Sequence, residues 1–146
     1  MARIAGRLTF LPMGSGAGKL KVFAERHAAV VVFDAATTQT RALKKIMAAA
    51  LRSSARVRPF RGPCEVRIWT SVMPHKAGAH DVDNIAKAVL DALGGVFYLD
   101  DRQVVRLVSE RFEGDANRIA VRVAALEGPV GPVDLDQTLL GVPPTA

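Results

Sequence analysis

From Cys64 to Val72 the chain alternates without a break, with Cys64, Val66, Ile68, Thr70 and Val72 on one side and Glu65, Arg67, Trp69 and Ser71 on the other. Successive side chains of an extended strand point to opposite faces, so this period of two predicts a strand with one buried face. The period then changes. From about Asn84 to Leu93 the residues Ile85, Val89, Ala92 and Leu93 share one side of a helix, and Gly94-Gly95 supplies an abrupt stop. After a short apolar run, Val96 to Leu99, the pair Asp100-Asp101 opens a strand from about Gln103 to Phe112. A turn is expected at Gly114-Asp115-Ala116-Asn117, and Arg118 to Ala125 alternates again, so these last two strands read as an antiparallel hairpin.

Upstream, Arg3 to Leu11 reads as a strand stopped by Pro12, followed by a glycine-rich loop from Met13 to Lys19. A nucleotide-binding P-loop would need Gly at position 13 and Ser or Thr at position 20; Met13 and Leu20 stand there instead, which rejects that reading. Leu20 to Ala24 and Ala29 to Phe33 pair as a hairpin across Glu25-Arg26-His27, and Asp34 or Thr38 then caps a helix. In that helix Leu43, Ile46, Met47, Ala50 and Leu51 make one apolar stripe, while Arg41, Lys44, Lys45 and Arg52 take other faces. An Arg-rich connection, 53–63, leads to the strand at Cys64. The pattern is α+β: a single domain over 1–126 with a mixed β-sheet and two main helices packed on it. Residues 127–146 form a Pro- and Gly-containing C-terminal tail whose segment Leu135 to Leu140 either folds back over the subunit or docks on a partner protein.

A length of 146 residues suits one domain with a real core. No apolar run approaches the roughly 20 residues that span a bilayer, and no signal-peptide pattern opens the chain, so a cytosolic protein is expected. Cys64 is the single cysteine, which excludes an internal disulfide and makes it a small core residue. The net charge of +6 is unevenly spread: residues 1–80 hold 14 Lys/Arg against 3 Asp/Glu (+11), and residues 81–146 hold 6 against 11 (−5). A basic half favours a polyanion such as nucleic acid, because bound Lys and Arg release condensed counterions, although many basic proteins are merely soluble.

The acids concentrate where the elements change. Asp81 and Asp83 lie two apart, so both carboxylates face one site if the helix begins at about Asn84. Hard oxygen donors in that arrangement suit Mg²⁺, which keeps several waters. Lys87 follows Asp83 by four residues, within reach of a phosphate held there; the plain alternative is an i, i+4 ion pair, with an Asp capping the helix. A short return after the helix is expected to bring Asp100 or Asp101 beside the helix start, completing a cluster of three carboxylates whose mutual repulsion a cation relieves. Three acids with a lysine suit metal-assisted phosphodiester hydrolysis, the lysine supplying positive charge or a proton relay.

The run Asp81-Val-Asp83-Asn84-Ile-Ala-Lys87-Ala-Val-Leu-Asp91-Ala92-Leu93, then Leu99-Asp100-Asp101-Arg-Gln103-Val104, resembles the signature of the RusA family of Holliday-junction resolvases. The likeness covers roughly residues 60 to 125. It implies that Asp81, Asp83 and Asp101 are the metal-binding and catalytic aspartates and that Lys87 is the catalytic lysine, with Asn84, Asp100 and Gln103 in support. The implied activity is paired, symmetric cleavage of four-way DNA junctions by a homodimer in recombination and repair, with Mg²⁺, or Mn²⁺ in its place, acting in the cytoplasm of a bacterial cell or of a phage's host. Lys19, Lys76 and His80 are the candidates for DNA contact, and His75 carries no assignment. A broader flap or fork nuclease, and a non-catalytic branched-DNA-binding module of the same fold, are the alternatives.

Overall fold

The computed structural model describes residues 7–10, 19–24, 27–34, 40–54, 58–73, 81–127 and 141. Its elements are β1 (Arg7–Phe10), β2 (Lys19–Ala24), β3 (Ala28–Asp34), α1 (Thr40–Ser54), β4 (Cys64–Val72), α2 (Val82–Leu93), a 3-10 turn over Asp101–Gln103, β5 (Val104–Glu113) and β6 (Arg118–Ala125). The strands form one six-stranded sheet in the order β1-β2-β3-β6-β4-β5. All neighbours are antiparallel except β4 and β5, which run parallel. Parallel neighbours need a crossover, and α2 supplies it. The sheet is therefore mixed and carries two helices, an α+β fold as the sequence pattern predicts.

Register explains which face is buried. Val22, Val31, Val121, Ile68 and Ser109 lie side by side across β2, β3, β6, β4 and β5, and the next row holds Leu20, Phe33, Ile119, Thr70 and Arg111. Because the side-chain period is two, these rows share one face, and on β2, β3, β6 and β4 every member is buried. Against them pack Leu43, Met47 and Leu51 of α1 and Ile85, Val89, Ala92 and Leu93 of α2, one contiguous core in which each full burial contributes on the order of 2 kcal/mol. Arg41, Lys44, Lys45 and Arg52 stay exposed, as their faces predict. Cys64 is buried, and burial pushes its thiol pKa up, which suits a core residue rather than a nucleophile.

Three expectations are corrected. β5 and β6 are consecutive but not paired: β6 enters between β3 and β4, and the turn at 114–117 passes over the end of β4. Gly114 N donates to Val72 O at 2.9 Å, Ser71 Oγ donates to Ala116 O at 2.9 Å, and Met73 N donates to Asn117 Oδ1 at 3.0 Å. A Cβ on Gly114 would run into the Ser71 hydroxyl, so the close crossing needs glycine here. The physical reason is composition. β6 offers Ile119, Val121 and Val123 to the core and takes a central place, whereas β5, with Arg106, Glu110, Arg111 and Glu113, is left at the edge. Second, α2 starts at Val82 rather than at about Asn84. Third, Asp34 does not cap α1; it ends β3 and is ion-paired with Arg118. Thr38, the 13–18 part of the glycine loop and nearly all of the tail lie outside the described residues. Among the described residues, no helix is long and apolar enough to cross a membrane.

Candidate active site

The N-terminal part of α2 carries Asp81 at the N-cap, Asp83 and Asn84 in the first turn and Lys87 in the second, all exposed. Asp81 is the N-cap residue and Asp83 lies in the first turn, so the two are not neighbours on an extended strand as predicted. They still share the positive end of the helix dipole, where carboxylates are stabilised. Asp81 makes no side-chain capping bond; its backbone carbonyl accepts from Ile85 N at 3.2 Å. Among the described residues, the Asp83 carboxylate accepts only from the adjacent Asn84 N, at 3.0 Å. Lys87 forms no ion pair with Asp83 or with any other described residue. The i, i+4 ion pair that would make this lysine ordinary is thus missing.

The other acids divide sharply. Asp91 is held by Lys44 of α1 at 3.1 Å, which ties the two helices together. Asp100 caps the 3-10 turn, accepting from Arg102 N at 2.8 Å, and pairs with the Arg102 guanidinium at 2.9 Å, which holds its carboxyl below the usual carboxylate range. Asp101 has no such partner among the described residues. Of the five acids in this segment, the two that are neutralised in ion pairs are Asp91 and Asp100, and the three left over are Asp81, Asp83 and Asp101.

Asp101 is held in place by its neighbours. Gln103 closes the capping box: its Oε1 accepts from Leu99 N at 2.8 Å and from Asp100 N at 3.0 Å, while its Nε2 donates to Phe60 O at 2.6 Å and to Gly62 O at 3.0 Å. All four hydrogen-bonding sites of that amide go to backbone, so Gln103 is a positioning residue for the turn that carries Asp101. Beneath it lies Tyr98, the chain's single tyrosine, buried and donating to Leu90 O at 2.6 Å. Burial, followed by the nearby charges of Asp101 and Asp91, raises its pKa, so the phenol stays protonated. Tyr98, the Lys44 tie and the bond from Ser109 Oγ to Val82 O at 3.1 Å were not anticipated from sequence. The Lys44 tie and the Ser109 bond join elements far apart in the chain, and the Tyr98 bond, eight residues long, runs from the return back to α2; none leaves a local pattern.

Where Asp101 sits matters most. Its Oδ1 would lie 3.7 Å from a Cβ built on Gly94, the C-cap of α2, so it is beside the helix end and not beside the helix start. Twelve residues of α2, at about 1.5 Å each, separate it from Asp81 and Asp83 by roughly 18 Å along the axis. A cation with ligands at about 2.1 Å does not span that. Consistently, among the described residues no group of three His, Cys, Asp or Glu is close enough to hold a metal ion. The donor chemistry fits a hard cation, but the described residues of this chain do not gather it. Lys76, His75 and His80 lie outside the described residues, as does the side chain of Lys19, whose backbone opens β2.

The family model described as Endodeoxyribonuclease RusA matches residues 19–124. No curated protein matches the chain. Among solved structures, the OmpA-like domain of FopA1 from Francisella tularensis subsp. tularensis SCHU S4 is similar at 13% identity over 83% of this chain and 97% of that one, with a TM-score of 0.36, too low to bear on fold or function.

Proposed function

Because the chain belongs to the RusA family of endodeoxyribonucleases, we propose that it is a homodimeric, metal-dependent nuclease that resolves four-way DNA junctions by paired phosphodiester hydrolysis, in recombination and repair. The observation that carries this reading is the partition of the acids: among the described residues Asp81, Asp83 and Asp101 have no ion-pair partner, while Asp91 and Asp100 are spent on ion pairs. Unpaired carboxylates repel phosphate, so a pure DNA binder gains nothing from keeping them.

The roughly 18 Å between the helix start and Asp101 adds that each site takes residues from two subunits: Asp81, Asp83 and Lys87 from one, Asp101 from the other. A two-fold junction is matched by a two-fold enzyme with two such sites. The aspartates would hold Mg²⁺ or Mn²⁺, which supplies Lewis acidity toward a phosphate oxygen. Lys87 brings a cation toward the scissile phosphate, offsetting charge that builds there or passing a proton to a departing oxygen. Gln103 acts through Asp101 by fixing its turn.

Mixing separately inactive subunits tests this. Asp83→Asn and Asp101→Asn homodimers are expected to bind junction DNA without cutting it, since loss of a negative charge reduces repulsion of the backbone. Mixed heterodimers then hold one wild-type site, because the two lesions fall together in the other. Metal-dependent nicking by the mixture supports the shared site, and its absence places the aspartates in one subunit. Nicks spread over forks and flaps would widen the substrate class, and binding without any cleavage by the wild type would leave a non-catalytic module.

A further inference from the structure

β5 ends the sheet, and among the described residues nothing pairs with its outer edge. Exposed edges are templates for another strand, and apolar residues on them are a liability unless something covers them. Val105, Leu107 and Phe112 of β5 are 47%, 44% and 51% exposed, and with Val82, which Ser109 of β5 tethers, they make up most of the large exposed apolar side chains described.

We infer that this edge pairs with the same edge of a second copy, antiparallel about a two-fold axis at Val108. The occupant follows from the charges. Two identical antiparallel strands must oppose residues of the same parity, because the facing residues present their backbone groups to the same edge. With Val108 on the axis, Arg106 stands opposite the partner's Glu110, twice by symmetry; the regular stretch of β5 that pairs this way begins at Arg106, after the bulge beside Val104. An axis at Leu107 sets Arg106 against Val108, one at Ser109 sets it against Phe112, and one at Glu110 brings two acids together. Of these registers, only the one at Val108 matches charge with charge.

The sheet already prepares that match. Glu65 on β4 binds Arg67 at 2.8 Å and Arg106 at 2.7 Å, and Glu110, on the same face of β5, has no ion-pair partner among the described residues. The partner's Glu110 would extend the alternation of Arg67, Glu65 and Arg106 across the join. On the opposite face, Leu107 meets the partner's Ser109, so the exposed Val82 and Leu107 close over the seam. The same pairing sets the start of one β5, just after Asp101, against the end of the other, on whose side α2 begins. It thus supplies a contact for the shared site proposed above, and its registration rests on β5 alone.

Oxidative cross-linking of the full chain tests the register. Residues facing each other across a two-fold axis have Cβ atoms about 5 Å apart, within disulfide reach. Val108→Cys treated with diamide is expected to give mostly cross-linked dimer on a non-reducing gel. Arg106→Cys is expected to give none, its two copies being offset by four residues, roughly 13 Å. Wild type, whose Cys64 is buried, is the blank. Independently, Glu110→Arg, an exposed substitution that sets arginine against arginine, is expected to weaken dimerisation at least tenfold by analytical ultracentrifugation. No cross-link at 108, equal cross-linking at 106, an undiminished Glu110→Arg dimer, or a monomeric wild type would each overturn the edge pairing. Junction cleavage by the wild type is scored separately: cutting without the 108 cross-link sinks the edge and spares the nuclease, and the cross-link without cutting does the reverse.

Discussion

Replacing Gln103 by alanine isolates how the turn carrying Asp101 is held. The side chain makes four hydrogen bonds, at 2.8 and 3.0 Å to Leu99 N and Asp100 N and at 2.6 and 3.0 Å to Phe60 O and Gly62 O. Each contributes about 1 kcal/mol net, but water replaces partners that are exposed. Gly62, Leu99 and Asp100 are exposed and Phe60 is half-buried. A loss of about 2 kcal/mol therefore follows, closer to two full bonds than to four. For a chain of this size that lowers Tm by roughly 6 °C, readable by circular dichroism. Cleavage should fall on the order of tenfold with junction affinity kept, since Asp101 is displaced and the DNA contacts are not. Gln103→Glu sharpens the test. It keeps both acceptors but sets a carboxylate against two carbonyls, which raises its folded pKa. A raised folded pKa means stability present below the unfolded value of about 4.3 and lost as pH rises. That variant should approach wild type in acid and be the weaker protein at pH 7. A Gln103→Ala Tm within about 1 °C of wild type, or a Gln103→Glu deficit that does not vary with pH, would refute the clamp.

Lys87→Ala should abolish cutting without lowering Tm by more than about 1 °C, because the side chain is exposed and unpaired among the described residues; a fully active variant would demote it to surface decoration. Glu65→Gln should cost about 1 kcal/mol in urea at pH 7, discounted because both arginines are exposed. Burial raises the Glu65 pKa, but the Arg106 and Arg67 bonds outweigh it and leave it lowered, so this stability is present above the unfolded value and lost as pH falls through the folded one, and the variant should approach wild type as the solution is acidified. Gly114→Ala should destabilise by about 2 kcal/mol through its collision with the Ser71 hydroxyl, and adding Ser71→Ala should recover part of that loss in thermal melts; no recovery would place the strain elsewhere.

Element types were legible because their causes are local. Alternation at Cys64–Val72, the stripe of Leu43, Met47 and Leu51, and the Gly94-Gly95 stop, where Gly95 takes φ 83°, all arise from side chains or backbone within a few residues. The start of α2 was misplaced because Asp81 and Asp83 read equally well as strand end or first turn. The β5–β6 hairpin failed for a different reason: a short turn says that two strands are near, and not that nothing lies between them.

Sequence by itself determined the α+β class and the buried faces, since residue type and period act over one or two turns of chain, and through the family resemblance it nominated the candidate site residues. Tertiary structure decided which of those residues are ion-paired and which, among the described residues, are not. Only packing brings Lys44 to Asp91 and Phe60 to Gln103. The capping bond from Arg102 that occupies Asp100 forms only once the 3-10 turn exists. Tertiary structure also set Asp101 at the far end of α2 from Asp81 and Asp83, because a parallel crossover must carry the chain back to the start of the neighbouring strand before β5 can begin.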